Sequence, residues 1–186
     1  MNAFTLTERR PPWVVFTLEA DPWVGVETAK LQAQGGRVFR LDGHELREPA
    51  SLFAAFAREL SFPGYFGHNW HALVDCLHDW HGHGSDTRDI AVLIDNADDL
   101  HGVSFLGIFV AVLCDAAWRA NYQLDSDGIP NEWWSPFTLH FVFLLGETQP
   151  DAFAEAVASD PDNRVTVQNG RLTVTLGEDW PTPDID

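Results

Sequence analysis

Two apolar runs constrain the fold of this chain more than any other feature: residues 90–94, IAVLI, and residues 137–145, FTLHFVFLL. Both are rich in β-branched or aromatic side chains. The first is continuously apolar, the mark of a strand covered on both faces. Such strands lie inside an α/β layer fold, with helices packed on a mainly parallel sheet. The rest of the chain can supply those layers. Residues 13–18 read as a strand closed off by Asp21 and Pro22, and residues 38–41 as another, turned by Asp42 and Gly43. Residues 26–34 make a weak helix ended by Gly35 and Gly36. Residues 49–60 place Leu52, Phe53, Phe56, Ala57 and Leu60 at the helical period, and Pro63-Gly64 breaks that helix. The longest helix is expected at 105–120 and a short one at 153–158. The predicted fold is α/β, in two or three layers, with a short, mostly parallel sheet flanked by helices.

The segment RVTVQNGRLTVTL, residues 164–176, adds an antiparallel piece. Two alternating runs flank Asn169-Gly170, a pair suited to the positive φ angles of a type I′ hairpin. After Trp180 the prolines at 181 and 183 predict a loose end. Residues 123–136 form a long loop that holds Trp133 and Trp134. The expected organisation is an N-terminal extension over 1–36 packed on the core, a main domain over 37–145 with an insertion at 123–136, and a C-terminal extension over 146–186.

The chain carries 28 acidic against 11 basic residues, a formal charge of -17. That field repels nucleic acid and anionic membranes and attracts basic macromolecules. Cys76 and Cys114 fall inside predicted helices and read as buried thiols of a cytoplasmic protein, not as a disulfide framework. No apolar run approaches the ~20 residues that span a bilayer.

The stretch SFPGYFGHNWHALVDCLHDW, residues 61–80, carries the chemistry. Asn69 is a natural N-cap. At ~100° per residue, Trp70, Leu73, Leu77 and Trp80 fall on one stripe, which faces the core. His68, His71, Asp75 and His78 fall on another, with Asp79 beside them and Val74 at the boundary. Imidazoles and carboxylates at this spacing suit a metal such as zinc, but neither HExxH nor a CxxC pair is present. His71 and Asp75 could form a base and its orienting group, yet the chain has no nucleophile elbow, phosphate loop or dinucleotide fingerprint. A rigid helix presenting Asp75 and Asp79 among aromatics also suits recognition of a basic cleft.

The segment from Phe62 to Trp70, with Ala72, Leu73, Asp75, Cys76 and Leu77, resembles the barstar family, whose namesake is the intracellular inhibitor of the secreted ribonuclease barnase. The Leu41-Asp42-Gly43 turn and the helix through Phe53 and Phe56 fit the same pattern, and the resemblance runs over residues 37–145. It implies a barstar-like fold and a loop and helix that plug a ribonuclease active site, with Asp75 standing in for a substrate phosphate. The partner-binding residues it implies are Tyr65, Phe66, Gly67, Asn69, Trp70, His71, Val74, Asp75 and, on the later helix, Asp115. Two positions depart from the family: His71 replaces an acidic residue and Val74 a tryptophan. His71 can hydrogen-bond but adds no negative charge, so the target can differ from barnase. The expected function is intracellular inhibition of a secreted or toxin ribonuclease, a basic protein, by a chain that is monomeric when free. No catalysis, cofactor or metal is expected. The alternatives are a barstar-like binding module or immunity protein for a target other than a ribonuclease, and a metal-dependent enzyme using His71, Asp75 and His78.

Overall fold

The computed structural model describes residues 4–80, 89–124, 127, 129–130 and 135–180, without the side chain of Trp80. The strands are β1 (Val14–Leu18), β2 (Arg37–Asp42), β3 (Ile90–Asp95), β4 (Leu139–Leu145), β5 (Asn163–Gln168) and β6 (Arg171–Leu176). The helices are α1 (Pro22–Ala33), α2 (Pro49–Glu59), α3 (Trp70–Asp75), α4 (Leu106–Tyr122) and α5 (Ala154–Ala158). Among the described residues six strands form one sheet in the order β2-β3-β4-β1-β6-β5. The first four are parallel, with Val92 opposite Phe141 and Val14 opposite Phe141 on its other side. The hairpin of β5 and β6 adds antiparallel to β1.

The apolar runs behave as their composition requires. Every residue of β4 and the first five of β3 are buried. One face of these strands offers Val92, Ile94, Phe141 and Phe143 to α2, α3 and α4. The other offers Ala91, Leu93, Val142 and Leu144 to Leu6, Val24 and Leu31, from the N-terminal segment and α1. Helices therefore cover both faces, and the layers number three. In the hairpin Asn169 and Gly170 take φ angles of 54° and 73°, as a type I′ turn demands.

Two local expectations need correction. Asp21 and Pro22 do not only close β1; they start α1 four residues earlier than predicted. Asp21 accepts a hydrogen bond from the Trp23 amide at 3.0 Å, and Pro22 occupies the first helical turn, where no amide donor is needed. The helix after Asn69 is not α-helical to its end: residues Cys76–Trp80 wind as a π turn. Trp133 and Trp134 of the 123–136 loop, and the expected loose end after Trp180, lie outside the described residues.

Asp21 also joins the two ends of the chain. Arg171 of β6 donates to it through Nε at 2.6 Å and Nη2 at 3.0 Å, and Thr17 donates at 2.6 Å. The Arg171 hydrogen bonds outweigh the opposing effect of burial and hold the carboxyl at about 2. An acid whose folded pKa lies below its unfolded value stabilises the fold above the unfolded pKa and loses that contribution as pH falls through the folded one. Asp21→Asn should therefore cost about 1–2 kcal/mol at neutral pH. The difference from wild type should vanish between the ordinary 3.8 and about 2, read by chemical denaturation across pH.

His140 on β4 is fully buried, with Nδ1 3.1 Å from the Pro12 carbonyl and Nε2 2.9 Å from the Glu8 carbonyl. Burial lowers its pKa from 6.5 to about 4 despite these acceptors. A base held neutral in the fold takes up its proton first when unfolded, so stability is lost as pH falls from 6.5 toward 4. His140→Gln retains an amide donor but cannot titrate. It should flatten the slope of unfolding free energy against pH in that window.

Candidate protein-binding site

The segment between α2 and α3 is built to hold one shape. The Phe62 amide donates to the Ala57 carbonyl at 2.9 Å, and the Phe66 amide to that of Pro63 at 3.0 Å. Phe66 is buried, with its ring against Phe62 at 5.1 Å and Phe53 at 6.4 Å. Tyr65, next to it, is 79% exposed. Phe66 thus anchors the loop from beneath while Tyr65 stands out from it.

Asn69 ties the loop to the helix. Its Oδ1 accepts from the Ala72 amide at 2.9 Å, and its Nδ2 donates to the Gly67 carbonyl at 3.1 Å. A Cβ on Gly67 would lie 3.0 Å from that Nδ2, so a side chain there would press on the cap. His68, between them, takes a left-handed φ of 49°. A non-glycine residue in that region costs about 1 kcal/mol, which the cap and the His68–Phe66 ring contact at 4.8 Å help to offset.

On α3, Leu73 and Val74 are buried and Trp70 is half-buried, edge-on to Phe53 at 4.8 Å. His71 and Asp75 point outward one turn apart, and the Asp75 side chain is 70% exposed. Of the nine residues singled out in the sequence, Tyr65, Gly67, Asn69, His71 and Asp75 share this open surface. Phe66 and Val74 lie beneath it and Trp70 at its border.

His78 does not join the outward stripe that α-helical counting gives it. The π turn widens the coil and brings His78 inside, where it is 7% exposed. Its Nε2 is 3.9 Å from Asp75 Oδ1 and its Nδ1 3.0 Å from Asp79 Oδ1. Asp115 on α4 is half-buried and paired with Arg119 at 2.7 Å. Burial pushes its carboxyl up, opposed by the Arg119 hydrogen bond and by nearby His78, while Asp162 adds to the rise. Asp115 thus sits behind Asp75, across His78. Asp162 has no local sequence motif, and only the tertiary fold brings it near Asp115.

With His78 turned inward, the metal-centre alternative built on His71, Asp75 and His78 loses its geometry. Among the described residues no group of three or more His, Cys, Asp or Glu side chains converges on a common point. No helix of the described residues is long and apolar enough to cross a membrane.

The aromatic loop, the asparagine-capped helix and the exposed Asp75 at the end of that helix form one open surface. Residues 36–127, about half of the chain, match the family model of barstar (barnase inhibitor). The chain belongs to the barstar family. No curated protein matches it. The barstar-family region contains β2, α2, α3, β3 and the whole of α4, and β4 follows it in sequence.

The cap generates a direct test. Asn69→Ala should cost about 1 kcal/mol of stability and raise hydrogen exchange at the Ala72 amide. Thermal unfolding and exchange measured by NMR would show both.

Proposed function

We propose that the chain inhibits a barnase-type ribonuclease inside the cell, by seating its 65–75 loop and helix in the enzyme's basic active site. The observation that carries this is Asp75: an open carboxylate on a short helix whose start is fixed by Asn69 and whose base is packed on the core. A carboxylate accepts two parallel hydrogen bonds from a guanidinium, as a phosphate does. Held in place before binding, it incurs little ordering cost when an enzyme's cations close on it. Tyr65 would supply a large, stiff apolar contact beside it. The charge of -17 would speed the encounter with a cationic enzyme. The protein would act as a monomer, with no cofactor and no reaction of its own.

His71 qualifies the target. It offers an imidazole where the family resemblance implies an acid, and Val74, which is buried, stands where that resemblance implies a tryptophan. The contact would therefore be less charged on the loop side of Asp75, which favours a partner with fewer cations there.

The experiment is RNA cleavage by barnase and other secreted basic ribonucleases, titrated with this protein. Equimolar protein should suppress cleavage by at least one of them. Asp75→Ala should weaken that inhibition by about 2 kcal/mol or more, some thirtyfold, with an unchanged circular dichroism spectrum. Cleavage undiminished at tenfold excess across the panel would overturn the proposal.

A further inference from the structure

The two outer edges of the sheet are built differently. β2 closes one, with Arg37 and Arg40 exposed along it. Charged side chains on an end strand discourage pairing with another chain. β5 closes the other, and it lies outside the family match. Its residues Val165, Thr166, Val167 and Gln168 include no charge and no proline. Its charged residue, Arg164, is turned back on the start of the strand, where Nη1 donates to the Pro161 carbonyl at 2.6 Å and to that of Asn163 at 3.3 Å. The β5 edge is therefore unguarded.

The hairpin register shows which backbone groups are open. Gln168 lies opposite Arg171 beside the two-residue turn, Thr166 opposite Thr173 and Arg164 opposite Thr175. The pair flanking such a turn exchanges hydrogen bonds, and so does every second pair after it. Val165 and Val167 thus aim amide and carbonyl away from β6, and among the described residues no strand pairs with them there. Their side chains lie opposite Val174 and Leu172, which are fully buried, yet Val167 is 47% exposed. The apolar face of the sheet runs on past its cover.

Self-complementarity identifies the occupant. A second β5 can lie antiparallel to the first with the two copies of Thr166 opposite each other. Val165 of each copy then faces Val167 of the other, and each such pair exchanges two backbone hydrogen bonds. The valines cover one another on one face and the threonines meet on the other, both favourable cross-strand pairs. Arg164 stands opposite Gln168 instead of another arginine.

We propose that β5 is a self-association edge, at which two copies of this chain pair antiparallel about a two-fold axis at Thr166 and join their sheets into one. The pairing uses none of residues 65–75 and is independent of the ribonuclease reading. Two strands alone bury less than the roughly 1,000 Å² of a lasting interface, so the dilute chain stays monomeric. Two chains at -17 repel each other at long range, and salt screens that repulsion without touching the uncharged edge.

The test is sedimentation of the full chain from about 10 μM to about 1 mM, at low and high salt. A dimer should appear at the upper concentrations and strengthen about threefold or more at high salt. The Val165 and Val167 amides should exchange with solvent more slowly as it forms. Thr166→Lys sets like charges face to face and should weaken association about fivefold or more. Val167→Pro removes an outward amide that the hairpin does not use and should abolish it. Ala29→Lys, the same charge on the exposed side of α1, should not weaken it. Equal unfolding midpoints would establish intact folds, and Thr166→Lys decides alone if Val167→Pro does not fold. A monomer at about 1 mM in high salt overturns the inference. So does a dimer that Thr166→Lys leaves as strong as wild type, since another surface then holds it. Protection of the two amides only when a basic ribonuclease is added would assign the edge to that protein and overturn it too.

Discussion

Phe143 lies where the layers meet. Its ring stacks on Phe16 of β1 at 4.2 Å and meets Phe109 of α4 edge-on at 5.9 Å. Phe109 in turn meets Phe56 of α2 at 6.0 Å and Trp70 of α3 at 6.1 Å. One connected set of rings thus fixes three helices on one sheet face. Each buried phenylalanine stabilises the fold by roughly 1.5–3 kcal/mol. The set also decides where the proposed binding face lies. α3 is too short to hold itself in place, and it is aimed by the ring at its first residue and the cap just before it.

The polar side of α3 follows from that anchoring. With Trp70, Leu73 and Val74 turned to the core, His71 and Asp75 have no direction left but outward. The loop before the helix repeats this division between Phe66 below and Tyr65 above. Exposure of a large aromatic beside an open carboxylate costs solubility unless something compensates, and the excess of acid elsewhere does so.

What the sequence revealed depended on range. β3 and β4 were legible because an apolar run needs cover on both faces wherever it sits. The Asn169-Gly170 turn was legible because only a few residues tolerate positive φ. The Asn69 cap lay in three consecutive turns of pattern. The start of α1 was misread because Asp-Pro both ends a strand and begins a helix, and nothing within a few residues separates the two. The place of β1 between β4 and β6 depends on pairing across more than a hundred residues, where no local signal exists. His78 was misplaced for a subtler reason. A π turn leaves no mark in apolar spacing, so counting at the α-helical angle carries the error forward to the residue that matters.

On the proposed interface, Asp75 and Asp115 would present a partner with two different kinds of carboxylate. Asp75 is open to water, so a closing cation must first strip its hydration, and its value lies in steering and in the final hydrogen bonds. Asp115 has already lost much of its water in the free protein, which is why burial pushes its carboxyl up, and Arg119 only partly compensates. A guanidinium reaching it from outside would meet an anion whose desolvation cost was incurred on folding. The neighbouring Asp162 makes that outside cation more favourable still. On the proposed interface the exposed aspartate would govern how fast the partner arrives, and the half-buried one how slowly it leaves.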